Sequence, residues 1–178
     1  MKRLVAGLLL AAMAVAPAWA AIKPGVNAPK FTAQASLGGK VFTFDMKSAL
    51  RHGPVVLYFY PAAFTKGCTI EAHEFADATA DYKGLGATVI GVSHDDIEKL
   101  KKFSVSDCRS KFAVAADTDG SIMKSYDAVL TPVVANRTSY VITPNGNVLY
   151  EYTSMDPSKH VTNTMAVLKR WRQLHALD

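Results

Sequence analysis

The run Pro54-Val55-Val56-Leu57-Tyr58-Phe59-Tyr60 is continuously apolar and rich in β-branched and aromatic residues. A strand shows successive side chains to opposite faces, so a run with no polar alternation must be covered on both, in the middle of a sheet. A second buried strand, Thr88 to Ser93, follows after a stretch long enough for a helix. Two such strands flanking a helix place the chain in the α/β class.

The remaining elements fit around that centre. Phe31 to Ala35 and Val41 to Phe44 flank Leu37-Gly38-Gly39-Lys40 and read as a hairpin. Asp45 caps a short helix through about Arg51, ended by His52-Gly53-Pro54. Thr65 to about Tyr82 form a helix with Ile70, Phe75, Ala78 and Tyr82 on its core side, and Gly84 and Gly86 punctuate its exit. Asp95 and Asp96 start a charged helix through Leu100 and Phe103, and its mixed charges, with Lys99, Lys101 and Lys102, read as a solvated face. Phe112 to Ala115 make a short strand, Asp117 to Gly120 a turn and Ser121 to Tyr126 a short helix. Thr138 to Ile142 and Val148 to Tyr152 flank Pro144-Asn145-Gly146, a second hairpin. Pro157-Ser158 opens a last helix in which Val161, Met165, Leu168, Trp171 and Leu174 recur at helical spacing. The order predicts a mixed central sheet with helices on both faces and an N-terminal β-hairpin extension, a thioredoxin-like fold.

Residues 1–20 read as an export signal. Lys2 and Arg3 form the charged start, Leu4 to Val15 a short apolar core, and Ala18-Trp19-Ala20 a small-x-small cleavage pattern. The apolar core falls short of the ~20 residues that span a bilayer as a helix. The expectation is a signal peptide over 1–20, one domain over 21–178, and a periplasmic location with no stable membrane association. Losing Lys2 and Arg3 lowers the formal charge from +5 to +3. The remaining basic residues are scattered, apart from Lys169, Arg170 and Arg172, and are not interleaved with aromatics, which argues against nucleic acid as a partner. No interface signature separates a monomer from a dimer.

Cys68 and Cys108 are the two cysteines, and in an exported chain they could form a passive staple. The run Pro61-Ala62-Ala63-Phe64-Thr65-Lys66-Gly67-Cys68 argues against that. It sets Cys68 at a strand-to-helix junction, with Thr65 three residues before it and Pro61 four before that. Free N–H groups at a helix start favour a thiolate, the reactive form of cysteine. A staple needs no proline, hydroxyl and helix start around one of its ends. Cys68 with His73 makes only half a metal site, and His52, His73, His94, His160 and His175 show no ligand spacing, so neither metal nor cofactor is expected.

The spacing P-x-x-x-T-x-x-C resembles the active-site motif of the peroxiredoxins, thiol peroxidases of the alkyl hydroperoxide reductase and thiol-specific antioxidant type. Arg137, ahead of Thr138-Ser139-Tyr140-Val141-Ile142 and Asn145-Gly146, is a second match. The resemblance implies that Cys68 is the peroxidatic nucleophile and that Arg137 contacts thiolate and substrate. It implies further that Thr65 bonds the peroxide, Pro61 limits solvent and Glu71 orients Arg137. Asn136-Arg137-Thr138 also forms a glycosylation sequon, but its overlap with the active-site arginine marks it as chance. Cys68-Thr69 followed by Glu71-Ala72 is most similar to the peroxiredoxin Q group, the bacterioferritin comigratory proteins. Many members carry a resolving cysteine five residues after the peroxidatic one, and here that position is His73. Other members place it where Cys108 stands, so the resemblance implies an intramolecular Cys68–Cys108 disulfide, recycled by a thioredoxin-like dithiol donor. Hydrogen peroxide and organic hydroperoxides are the implied substrates. Disulfide Cα atoms must come within ~7 Å, so local unwinding around Cys68 and around Ser104 to Arg109 is expected in each cycle.

Two other classes compete. An exported thioredoxin-like thiol–disulfide oxidoreductase would use C-x-x-C, but Cys68-Thr69-Ile70-Glu71 lacks the second thiol. A disulfide-stapled binding domain would leave the motif around Cys68 without a purpose.

Overall fold

Seven strands form one mixed sheet in the computed structural model, which describes residues 21–175. The leader read over residues 1–20 lies outside the described residues. In chain order the elements begin with β1 (Thr32–Leu37), β2 (Lys40–Asp45), α1 (Met46–His52), β3 (Val55–Phe59), α2 (Lys66–Gly84) and β4 (Thr88–Ser93). Then come α3 (Ile97–Ser106), β5 (Ala113–Ala116), α4 (Ser121–Ser125), β6 (Val129–Thr131) and β7 (Val134–Ala135). The chain ends with β8 (Thr138–Ile142), β9 (Val148–Thr153), a 3₁₀ turn at Pro157–Lys159 and α5 (His160–Leu174).

The sheet order is β2-β1-β5-β4-β3-β8-β9. β3, β4 and β5 run parallel; the pairs β1–β2, β1–β5, β3–β8 and β8–β9 are antiparallel. Every residue of β3 is buried, and its two faces feed two cores. Val55, Leu57 and Phe59 pack with Met46 and Leu50 of α1 and with Ile122 and Met123 of α4. Val56, Tyr58 and Tyr60 pack with Phe75 of α2, Phe103 of α3 and Leu168 of α5. The period-2 geometry of one strand therefore divides the helices between the two faces. Gly91 of β4 makes room for Tyr58: a Cβ there would stand 2.7 Å from the tyrosine ring.

Three sequence expectations change. Ile70 is exposed at 41%, whereas the buried stripe of α2 runs through Cys68, Glu71, Ala72, Phe75, Thr79 and Tyr82. The stripe holds a glutamate and a threonine, which shifts the apparent apolar phase by one position. Leu174, at helical spacing with the core residues of α5, is also exposed. The two-stranded ribbon of β6 and β7 was not expected; it is only three and two residues long and carries a register shift.

Candidate active site

The register of the sheet brings the two distant motifs together. Thr138 pairs with Phe59, so Arg137 lies at the C-terminal end of β3, where the chain leaves for α2. The C-terminal ends of parallel strands are where an open α/β sheet forms its crevice. Phe64 turns the chain there with a left-handed φ of 68°, and its exposed ring stands edge-on to Phe103 at 5.2 Å. Asp95 anchors the same loop, accepting from the Ala63 N–H at 2.7 Å while bonded to the Ser93 hydroxyl and to Lys99. Sequence reasoning had placed Asp95 and Lys99 on a solvated face.

Thr65 is the N-cap residue of α2, and its carbonyl accepts the first helical bond, from Thr69 N at 2.9 Å. Cys68 thus lies in the first turn, among N–H groups that have no partner within the helix. The Thr65 hydroxyl does not cap the helix; it donates to the Ala62 carbonyl at 3.0 Å and stays exposed. Its lone pairs remain free to accept. Pro61 sits half-buried in the same loop.

The Cys68 thiol is 1% exposed, and Arg137 Nη2 donates toward its Sγ at 3.4 Å. The guanidinium is fixed from two further directions. Nη1 donates to Glu71 Oε2, and Nε donates to the Met155 carbonyl at 3.2 Å. Burial works against the arginine's charge, but Glu71 and Cys68 outweigh it and hold it above its ordinary value. Gly67 makes the approach possible, since a Cβ there would meet Arg137 Nη2 at 3.0 Å. Glu71 is itself fully buried, and burial pushes its carboxyl up to about 8 even against the pull of Arg137.

The structure thus brings Cys68, Glu71 and Arg137 into contact, with Thr65 and Pro61 in the adjoining loop. Cys108 is not bonded to Cys68; both are free thiols in the same buried core cluster as Tyr58 and Tyr60. Cys108 lies two residues past the end of α3, and burial, with Asp107 beside it, raises its thiol well above the ordinary range. Thr69, next to Cys68, donates to Oδ1 of Asp107, next to Cys108, at 2.6 Å. Arg109 and Ser110, just beyond, both hold left-handed backbone conformations.

His160 is the residue that sequence reasoning missed. Fully buried at the start of α5, it places Nδ1 3.6 Å from Glu71 Oε1. The apolar cavity lined by Leu37, Phe42, Phe44, Lys83 and Phe112 shares none of these residues, and neither cysteine lines it.

The AhpC/TSA family profile matches residues 24–151. Peroxiredoxin Q, chloroplastic, of Oryza sativa subsp. japonica is 34% identical over 151 residues, covering 83% of this chain and 67% of the rice protein. The crystal structure of peroxidoxin BcpB from Mycobacterium tuberculosis matches at 28% identity with a TM-score of 0.76, covering 84% of this chain and 97% of the other. The reduced 2-Cys peroxiredoxin of Plasmodium vivax, at 21% identity, shares the fold with a TM-score of 0.78 over 86% of this chain and 98% of its own.

Proposed function

This chain belongs to the AhpC/TSA family and is a peroxiredoxin-type peroxidase, and we propose that Cys68 is its nucleophile, Arg137 its activator and Cys108 its resolving thiol. The 3.4 Å contact of Arg137 Nη2 with Cys68 Sγ carries this reading. A guanidinium beside the sulfur and free N–H groups behind it stabilise a thiolate, and the same donors can hold the two peroxide oxygens. The thiolate attacks the near oxygen and the O–O bond breaks. Sulfur bonds to the near oxygen to give a sulfenic acid, while the far oxygen leaves as hydroxide or alkoxide and takes up one proton from solvent to become water or alcohol. The Thr65 oxygen accepts a hydrogen bond from the peroxide, Glu71 orients Arg137, and Pro61 restricts water.

Cys108 then attacks the sulfenic sulfur, releasing water and forming the disulfide, and an external dithiol protein of the thioredoxin type returns both thiols. A deeply buried Cys108 is a poor nucleophile, so resolution waits for the end of α3 and the start of α2 to open. The leader pattern supports a periplasmic location for this cycle; mass spectrometry of the periplasmic fraction should find a mature chain starting at Ala21.

Rapid mixing with hydrogen peroxide tests the chemistry. We expect one fast-reacting thiol, lost in Cys68→Ser, and a single turnover ending at trapped sulfenic acid in Cys108→Ser. A Cys68 no faster than free cysteine would end the proposal.

A further inference from the structure

The bonds around Arg137 include one arrangement that its contact with Cys68 does not explain. Glu71 gives Oε2 to Arg137, while its buried Oε1 has no hydrogen-bond partner. Oε1 faces Nδ1 of His160 at 3.6 Å. The other bonds of the imidazole locate its hydrogen. Nε2 lies 2.9 Å from the Ser154 carbonyl, which can only accept, so Nε2 carries the N–H. Nδ1 is then a lone pair, toward which the Ser139 hydroxyl donates at 2.8 Å. An ionised Glu71 would set a bare carboxylate oxygen against a lone pair where no water reaches. A proton on Oε1 removes that repulsion, and it becomes an attraction when the Ser139 hydroxyl, 2.8 Å from Nδ1, turns and yields the lone pair.

We propose that Glu71 and His160 together retain one buried proton, making His160 a positioning residue that leaves Arg137 as counter-ion to Cys68 alone. This rests on the reading of Cys68 and Arg137 given above. The charge count supports it. Arg137 contributes one positive charge, the Cys68 thiolate one negative charge and the protonated pair none, so the buried cluster is neutral. Without the proton, a second anion competes for the same guanidinium and the cluster carries a net negative charge that disfavours the thiolate. Moving the proton along the Glu71–His160 axis leaves the count unchanged. The groups facing the pair from other elements do not replace it. Asp156 lies before α5, Glu74 further along α2, Tyr58 reaches in from β3, and the Tyr152 ring stands edge-on to His160 at 4.8 Å. Burial moves both members in the required directions, Glu71 up to about 8 and His160 down to about 4.

The test is the pH profile of Cys68 oxidation by hydrogen peroxide, followed by stopped-flow on the reduced, full-length mature protein. The natural protein should lose rate on the alkaline side near pH 8. Glu71→Gln, which is isosteric and cannot ionise, should lower the rate but abolish that alkaline fall. His160→Gln offers an amide N–H to Glu71, lets it ionise, and should move the fall down by about one pH unit, which slows the reaction at pH 7 about twofold. A purely structural His160 would lower the melting temperature without moving the fall. An alkaline fall that survives in Glu71→Gln, or an identical profile in all three proteins, overturns the proposal. Failure of the underlying reading looks different: peroxide would then be consumed at full rate by Cys68→Ser.

Discussion

Thr69 and Asp107 form a latch between the two cysteines, and removing it should speed the second half of the cycle. Thr69 follows Cys68, Asp107 precedes Cys108, and the hydroxyl donates to Oδ1 at 2.6 Å. Asp107 is only 7% exposed and keeps a second partner in the Ser106 hydroxyl. A hydrogen bond to a charged group contributes ~1.5–3 kcal/mol, and the remaining Ser106 bond places this one near the lower end. Thr69→Val removes the hydroxyl with little change in volume. Opening returns Asp107 to water, so the loss falls on the closed state alone. About 1.4 kcal/mol then raises the open population about tenfold. Where opening precedes the attack of Cys108, the disulfide should form about tenfold faster.

Stopped-flow mixing separates the steps: oxidation of Cys68 should stay within about twofold of the natural protein, while the slower disulfide phase accelerates. A second readout follows from competition. Sulfenic acid that waits in a closed site is exposed to a second peroxide and can pass to sulfinic acid. Faster opening shortens the wait, so Thr69→Val should need about ten times more peroxide for half-inactivation. A disulfide phase that is unchanged or slower, or an increased sensitivity to peroxide, would refute the latch.

Two further outcomes are expected. Gly67→Ala favours the helix by up to ~1 kcal/mol, but its Cβ would crowd Arg137 Nη2 at 3.0 Å while Glu71 and Met155 hold the guanidinium in place. Cys68 oxidation should therefore slow at least ~10-fold with no loss in the urea midpoint; full activity would refute the crowding. The second concerns stability against pH. Glu71 is raised to about 8 in the native state, so the native chain binds this proton more tightly than the unfolded one and stability is lost as pH rises through that value. Between pH 6.5 and 8.5 urea unfolding should show a fall of about 2 kcal/mol, absent in Glu71→Gln. Below pH 6.5 His160, held neutral down to about 4, acts in the opposite sense, because the unfolded chain takes up its proton first. A curve that is flat from pH 6.5 to 8.5 would contradict the buried proton.

The architecture could be read from sequence wherever burial imposed a period. The continuous apolar run of β3 required cover on both faces, and its alternating side chains do feed two separate cores. Reading failed where polar groups occupy core positions or where an element is too short to show a period. Glu71 and Thr79 sit in the buried stripe of α2, so the apolar pattern pointed to Ile70, which faces solvent. The ribbon of β6 and β7 offers too few residues for any alternation to register. Asp95 looked like a helix-start acid, and its bond to Ala63 N depends on a loop 32 residues away in sequence.

The site divides along the same line. Cys68, Thr65 and Pro61 are local in sequence, and Arg137 is fixed by the strand it precedes, so the motif spacing reaches all four. His160 has no such frame: its partners come from α2, β8 and the segment after β9, and a lone histidine at a helix start carries no spacing of its own. A physical signal existed nonetheless. Ser139 lies in a strand whose five residues are all buried, and Glu71 lies in a buried helical stripe. Buried hydroxyl and carboxyl groups need partners, so two of them on neighbouring elements call for a third polar group near both. His160 supplies it only once α5 has docked on the sheet beside α2. The charge balance around Cys68 therefore depends on the last helix of the chain: in a partly folded chain without α5, Glu71 lacks its proton-sharing partner and competes with Cys68 for Arg137. On the proposed reading, Cys68 should reach full activation only once α5 has docked.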